Sequence, residues 1–399
     1  FTITRSENQT NCYSHSDEDT CNCERCKKRT VPEVIAEVNN LLSRGARRAN
    51  PDARIIAWVW AWPDDRVEEV ISHLDKNIIF QSTSETNLPL KKGGVDVSVA
   101  DYTMSNPGPS EWAKNNWEKA KKHSLSCAAK VQFNNTWEVS GVPYIPVFDL
   151  VKEHALNLKR FGIEHFMLSW TLGGAPSPSL KLVSGILDGT YSEENAVSEM
   201  ISELFPESER EILLSCEKML SCAFKSFPFS CATVYNAPVT SGPRAPFYAE
   251  DTHRTSTMVC FPYDCLDGWR SVYPEDVFKS LLEDLVSGWE KATELLEKFK
   301  GLNKTSPLFD EFKNCADGCL VHFKTTLNLT RFVLARREND VKAMLDSLLS
   351  EQKNTEQAII TQSLDSRVGF EASNHYNFSR QNLIEKLINI DYTRKIINQ

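Results

Sequence analysis

The first half of the sequence alternates short apolar runs with amphipathic stretches, and this alternation limits the possible folds more than any other feature. The run at 53–62, ARIIAWVWAW, is apolar on both faces of the strand it would form, as in strands covered by helices on both sides. Shorter strand-like runs occur at 1–4, 77–84, 128–134 and 165–170. Strands and helices that alternate in this way form a parallel sheet with right-handed crossovers.

Start signals support the intervening helices. Thr30-Val31-Pro32-Glu33 matches a capping box with Pro in the first helical turn. Further helices are predicted from Pro63, at 110–124 and at 147–161, and the segment 85–109 is predicted to be a long loop, which is often functional.

The strand count predicts an α/β fold made of the C-terminal five βα units of a TIM-type (β/α)8 barrel. With 165–170 as the eighth strand, 1–4 becomes the fourth, and residues 1–190 form strands four to eight with their helices. An upstream segment of roughly 90–120 residues would complete such a barrel. After residue 190 the strand signal fades, and 191–399 is predicted to be a mainly helical domain. Its predicted helices span 274–300, 309–349, 354–364 and 381–390.

Composition narrows the possible partners. The net charge is −9 and no basic stripe with interleaved aromatic residues occurs, which argues against a nucleic-acid partner. No run of 18 apolar residues exists, so no membrane span is predicted.

The predicted strand ends carry carboxylates, indoles and amides. In parallel barrels the active site lies at the carboxyl ends of the strands. Indole faces pack on the apolar faces of sugar rings, while carboxylates and amides bind sugar hydroxyls, so the expected partner is a glycan or glycoconjugate. The strand-end residues are Ser6, Glu7, Trp58, Trp60, Trp62, Ser82, Ser84, Glu85, Asn134, Trp137, Glu138 and Trp170, and the long segment adds Asp101 and Tyr102.

The cysteines of the segment after the first strand form a separate candidate site. Cys12, Cys21, Cys23 and Cys26 have the spacing C-x8-C-x-C-x2-C, which could hold a structural zinc ion with four thiolates. Free thiols or a single disulfide explain the same residues equally well. No cofactor is expected for catalysis.

Several segments resemble a known group of proteins. Residues 1–26, 53–62, 130–147 (KVQFNNTWEVSGVPYIPV) and 166–180 (FMLSWTLGGAPSPSL) resemble the second half of poorly characterised glycoside-hydrolase-like barrels. The broader relatives are the family 20 hexosaminidase-like and family 163-like enzymes. Residues 257–278 and 366–376 resemble the helical region that follows such barrels.

The resemblance implies roles for three carboxylates. Many retaining glycosidase barrels carry the acid/base after strand four and the nucleophile after strand seven, which implies Glu7 as general acid and Glu138 as its partner, with Glu85 in reserve. Ser6 stands where the family 20-like enzymes carry Asp, and substrate-assisted catalysis is therefore not implied.

The function predicted from these observations is a glycoside hydrolase acting on a β-linked glycan, with Trp58, Trp60, Trp137 and Trp170 facing the sugar. Two alternatives remain open. One is a non-catalytic carbohydrate-binding protein derived from an incomplete barrel. The other is an interaction or structural protein that binds through the Cys-rich segment and the helical region.

Overall fold

The structure is a computed structural model, which describes residues 1–169, 175–256, 263–363 and 379–399, without the side chains of 241 and 363. It has the expected mixed α/β architecture, with a parallel sheet in the first half and helices in the second. None of the helices in these described ranges has the length and apolar composition needed to cross a membrane.

The strands of the structure are shorter than the runs that predicted them. In chain order they are β1 (Ile55–Trp58), β2 (Ile78–Thr83), β3 (Pro89–Lys92), β4 (Val95–Ser98), β5 (Cys127–Lys130) and β6 (His165–Met167). Four of them form a parallel sheet in the order β1-β2-β5-β6, and this confirms four of the predicted strands. Their numbering as strands of a (β/α)8 barrel stays a prediction.

The first predicted strand, 1–4, lies along β1 but pairs with it at only one position. Thr2 bridges Ala57 in parallel; its amide donates to Ile56 O at 2.8 Å, and its carbonyl accepts from Trp58 N at 3.3 Å. The pairing stops because Thr4 O instead accepts a hydrogen bond from Asn11 Nδ2 at 2.8 Å. The run was placed correctly, but its predicted length was wrong.

The predicted loop 85–109 contains an antiparallel hairpin, which corrects the prediction. β3 and β4 pair from Pro89↔Ser98 to Lys92↔Val95, around Gly93 and Gly94. Both glycines have positive φ, 54° and 82°, as a tight two-residue hairpin turn requires. The Gly-Gly pair between alternating residues was the sequence signal for this turn.

Helices pack beside the sheet, and the first four of them lie at the predicted places. They are α1 (Val31–Ala49), α2 (Val67–His73), α3 (Glu111–Lys122), α4 (Phe148–Phe161) and α5 (Pro178–Asp188). The capping box at Thr30 is present: Glu33 N donates to Thr30 Oγ1 at 3.3 Å and Thr30 N to Glu33 Oε2 at 2.7 Å.

The second half of the described chain consists of helices and connecting segments. The helices are α6 (Ala196–Leu204), α7 (Glu207–Phe224), α8 (Cys231–Asn236), α9 (Pro238–Ser241), α10 (Leu266–Arg270), α11 (Glu275–Leu302), α12 (Pro307–Arg337), α13 (Val341–Ser363) and α14 (Arg380–Ile397). The predicted single helix 309–349 is wrong. Two helices, α12 and α13, occupy this range, and the helical conformation is interrupted between them at Asn339, whose φ is +55°. The predicted helix 354–364 is the end of α13, apart from residue 364, which lies outside the described residues.

A continuous apolar core joins the two halves. It includes Trp117 beside the sheet as well as Trp269 and Trp289 among the later helices, all fully buried. The helical half reaches the strand ends directly, since the rings of Trp137 and Tyr235 lie 5.7 Å apart. The division into domains at residue 190 stays a prediction.

Candidate functional site

A pocket of about 310 Å³ opens at the carboxyl ends of β1 and β2. Three indoles contribute to its walls, Trp60 and Trp62 from the segment after β1 and Trp112 from the first turn of α3. Polar groups from Ser6 and Asn87 also line it. Aromatic faces with a few polar groups are typical of a site for a small hydroxylated ligand.

The backbone around this pocket is strained. Ser6, Ala61 and Asn87 all line it, and their φ angles are +64°, +56° and +60°. Residues other than glycine adopt this left-handed region rarely, and such residues concentrate at functional sites. The strained main chain and the indoles coincide at the strand ends, which favours a binding role for this pocket.

Glu7 lies at the rim of this region and is exposed to solvent. Trp60 Nε1 donates to both of its carboxylate oxygens, at 3.1 Å to Oε1 and 2.8 Å to Oε2. The Trp60 ring packs on Trp58, with 4.9 Å between ring centroids. Trp58 is buried, and its Nε1 donates to Thr83 Oγ1 at 3.1 Å. It therefore packs against Trp60 as part of the core and does not line the pocket.

Asp101 is a second carboxylate near Glu7. Burial raises the pKa of Asp101, the hydrogen bond from the Tyr235 hydroxyl opposes this rise, and the negative charge of Glu7 adds to it. Tyr235 OH donates to Asp101 Oδ2 at 2.6 Å. The structure therefore brings Glu7, Trp60, Trp137 and Asp101 of the sequence prediction to the same end of the sheet, with Tyr235 between Asp101 and Trp137.

Glu138 is fully buried and holds two loops together. Its oxygens accept from Thr103 Oγ1 at 2.8 Å, from Met104 N at 2.7 Å, from Ser105 Oγ at 2.5 Å and from Thr136 Oγ1 at 2.8 Å. These donors come from the long segment after β4 and from the turn after β5. Buried carboxylates are usually satisfied in this way when they organise neighbouring loops.

Glu85 is also fully buried, which raises its pKa well above the usual value. Lys130 lies nearby, with its Nζ 4.7 Å from the centre of the Tyr102 ring and 2.8 Å from Ser169 O. Burial lowers the pKa of Lys130 to about 7, against the attraction of Glu85. Glu85, Tyr102 and Lys130 are therefore all buried at the carboxyl ends of the strands.

Ser84, His154 and Glu85 have the relative arrangement of a hydrolase triad but are sealed from solvent. His154 Nε2 lies 2.8 Å from Ser84 Oγ, and His154 Nδ1 lies 3.5 Å from Glu85 Oε1. The His154 side chain is only 3% exposed, and burial lowers its pKa to about 3. A nucleophile must reach its substrate, so this arrangement does not support an esterase or peptidase function.

Asn134 is buried at the end of β5 and organises the main chain there. Its Nδ2 donates to Ala175 O at 2.6 Å, and its Oδ1 accepts from Ser177 Oγ, the N-cap of α5. Trp170, the last member of the expected sugar-facing shell, lies outside the described residues.

Three of the four cysteines expected to bind metal lie together. The sulfur atoms of Cys12, Cys23 and Cys26 all lie within 4.8 Å of one another. Cys21 is not part of this group in the described chain. The predicted four-thiolate zinc site stays a prediction.

Sequence reasoning missed Tyr235 and Trp112. Tyr235 is 134 residues from Asp101 in sequence and lies in the helical half, where no strand-end rule applies. Trp62 was expected at the end of the predicted second strand; the strand ends earlier, at Trp58, and Trp62 lies in the loop beside the pocket.

Comparison with solved structures informs the fold. No family model matches the chain, and neither does any curated protein. The solved structure of a GH138 enzyme, described as targeting pectin rhamnogalacturonan II, aligns with a TM-score of 0.52 and 8% sequence identity. The alignment covers 92% of this chain and 47% of that one, so the chain spans about half the length of its structural neighbour. The chain therefore has a glycoside-hydrolase-like fold, while the expected closeness to the family 20-like and family 163-like enzymes stays a prediction.

Proposed function

We propose that this protein is a glycoside hydrolase that cleaves a β-linked glycan at the strand-end pocket, with Asp101 and Glu7 as its carboxylate pair. The proposal includes the assignment of the sheet to strands four to eight of a (β/α)8 barrel. The observation that carries it is that Trp60, which lines the pocket, donates to both oxygens of Glu7, while the Tyr235 hydroxyl holds Asp101 at the same end of the sheet. Burial raises the pKa of Asp101, and the charge of Glu7 adds to this rise.

Glycoside hydrolysis requires two carboxyl groups in different protonation states. One is protonated and donates its proton to the leaving oxygen, while the other is ionised and attacks or stabilises the sugar. Burial favours the protonated form of Asp101, which suits a general acid. Glu7 is exposed and its two oxygens accept from Trp60, which suits the ionised partner. These roles differ from the sequence prediction, which made Glu7 the acid.

The pocket supplies the binding surface that the reaction needs. Trp60 forms part of its wall and holds Glu7 at the same time, so a sugar ring that packs on this indole lies beside the carboxylate. Trp112 offers a second aromatic surface in the same pocket. In this proposal Glu138 is structural, because loop donors occupy its oxygens, and Glu85 takes no part, because it is fully buried.

Leaving-group dependence tests the two roles separately. We expect Asp101→Asn to reduce kcat/KM for alkyl or methoxyphenyl β-glycosides by roughly 10²–10⁴-fold, the range of general-acid catalysis. The same variant should cleave dinitrophenyl β-glycosides almost as well as wild type, because that leaving group needs no proton. Glu7→Gln should lose activity on both substrate types.

Asp96→Asn, an exposed carboxylate on β4, serves as the matched control and should leave both activities unchanged. Wild-type levels of turnover in both Asp101→Asn and Glu7→Gln would refute the assignment.

A carbohydrate-binding protein without turnover is the second candidate. It is favoured by the exposure of Glu7, because hydrolytic carboxylates usually work in sites that exclude water. Calorimetric titration with β-linked oligosaccharides separates the two functions. Binding that Trp60→Ala abolishes, together with no cleavage of any glycoside tested, would support this candidate against the hydrolase.

A further inference from the structure

We propose that Cys12, Cys23 and Cys26 together bind one zinc ion through their thiolates. Their sulfur atoms lie within 4.8 Å of one another. Zinc bonds to thiolate at about 2.3 Å, which places the sulfurs of a tetrahedral site about 3.8 Å apart. The three sulfurs therefore need only small side-chain adjustments to share one ion.

The three thiols come from two separate segments, which hydrogen bonds hold together. Cys12 precedes Tyr13, which is fully buried and shares its single hydroxyl proton between Cys26 O, at 2.8 Å, and Arg29 O, at 2.9 Å. Cys23 and Cys26 flank a C-x2-C turn in which Lys27 N donates to Cys23 O at 3.0 Å. The buried tyrosine thus fixes the Cys12 segment against the Cys23–Cys26 turn, and the site is preorganised.

The ligand chemistry favours zinc. Soft thiolates select Zn²⁺ or Cu(I) over hard cations such as Mg²⁺ and Ca²⁺, and a C-x2-C turn is a common zinc-binding element. A single disulfide would join two of the sulfurs and give no reason for the third to converge. Cys21 lies outside the sulfur group, so the proposed site uses three thiolates.

The ion would fix the segment that carries Glu7, and this part of the inference rests on the proposed function. Ser6 N donates to Ser14 O at 3.0 Å, and Asn11 Nδ2 donates to Thr4 O at 2.8 Å, so the chain on both sides of Cys12 is joined to the residues flanking Glu7. Glu7 itself is exposed, and its position depends on this loop and on Trp60. We therefore infer that zinc acts at a distance as a positioning element for Glu7.

Metal analysis tests the site without any substrate. The full chain, purified without chelator, should contain about one zinc per molecule, and so should Cys21→Ser and Cys222→Ser, the latter an exposed cysteine of α7. Cys12→Ser, Cys23→Ser and Cys26→Ser should each lose the metal. Cys12 is exposed, so its replacement disturbs no core and tests the ligand even if Cys26→Ser misfolds. Cobalt exchanged into the wild-type protein should give thiolate charge-transfer absorption.

The outcomes are distinct. A chain without zinc, whose three thiols titrate as free or whose mass shows a disulfide among them, overturns the proposal. Loss of zinc in Cys21→Ser overturns the three-thiolate ligand set. If zinc is bound, its removal by chelator should lower turnover at least tenfold, and added Zn²⁺ should restore it. Unchanged turnover after removal of zinc would overturn the positioning role. Bound zinc in a protein without any turnover would support the metal site and refute only the hydrolase function.

Discussion

Trp60 Nε1 donates to both carboxylate oxygens of Glu7, at 3.1 and 2.8 Å, while the same indole lines the strand-end pocket. One side chain therefore connects the binding surface to the carboxylate. Its ring rests on Trp58, which is buried and bonded to Thr83, so the orientation of the indole is fixed from below.

Trp60→Phe should separate these two contributions. The phenyl ring keeps an aromatic surface for the sugar but cannot donate to Glu7. Loss of one hydrogen bond to a charged group is worth about 1.5–3 kcal/mol, so kcat/KM should fall roughly 10–100-fold with a smaller change in sugar affinity. Trp112→Phe, which lines the same pocket, is the control and should change affinity alone. Equal kcat/KM losses in the two variants would contradict a specific role for the Glu7 contact.

The pH dependence of turnover should report Asp101. A general acid must be protonated, so activity should fall as the pH rises through the Asp101 pKa. The Tyr235 hydroxyl lowers this pKa, and the Glu7 charge raises it. Tyr235→Phe should therefore move the alkaline limb of the kcat/KM profile to higher pH. Glu7→Gln should move the Asp101 titration, followed by carbon NMR of labelled aspartate, to lower pH. A limb that stays in place in Tyr235→Phe would exclude Asp101 as the group that titrates.

Some parts of this structure could be predicted from the sequence because local signals determine them. The apolar run at 53–62 predicts β1, and the capping box at Thr30 predicts the start of α1, since both depend on neighbouring residues alone. The predicted strands extend too far toward the C-terminus. β5 ends at Lys130 and not at residue 134, because its last predicted residues form the loop that contains Asn134.

The site itself was only partly predictable. Glu7, Trp60, Trp137 and Asp101 were chosen from their places at strand ends and in the long segment. The burial that distinguishes Glu138 from Glu7 depends on Thr103, Met104 and Ser105, more than 30 residues away along the chain. Similarly, Tyr235 reaches Asp101 only through packing of the helical half, which no local pattern encodes.

Glu138 should prove essential for stability. Replacing it with Gln puts an NH2 group opposite donors such as Met104 N and Thr103 Oγ1, in a site that is fully buried. Leaving buried donors without an acceptor costs about 1–3 kcal/mol. We expect Glu138→Gln to lower the free energy of unfolding in urea by this amount, while the exposed Glu7→Gln changes it by less than about 0.5 kcal/mol. A Glu138→Gln protein of wild-type stability that cannot cleave glycosides would instead identify Glu138 as catalytic.

Ala61 offers a test of strain at the pocket. Its φ of +56° puts the Cβ of an L-residue too close to the following carbonyl, which costs the folded state roughly 1–2 kcal/mol. Glycine removes this cost, but its greater freedom in the unfolded chain opposes folding by about 0.5–1 kcal/mol. Ala61→Gly should therefore raise the free energy of unfolding by up to about 1.5 kcal/mol.

Gly162→Ala is the control, and it should lower the free energy of unfolding where Ala61→Gly raises it. This glycine follows α4 at φ +76°, and an added Cβ would meet only Lys121 Nζ at 3.6 Å, so the substitution should destabilise the protein through its backbone alone. If the strain at Ala61 serves the pocket, Ala61→Gly should also bind β-linked oligosaccharides more weakly despite its higher stability, because the released loop no longer holds Trp60 and Trp62 at fixed positions. A more stable variant with unchanged sugar affinity would show that the strain does not serve binding.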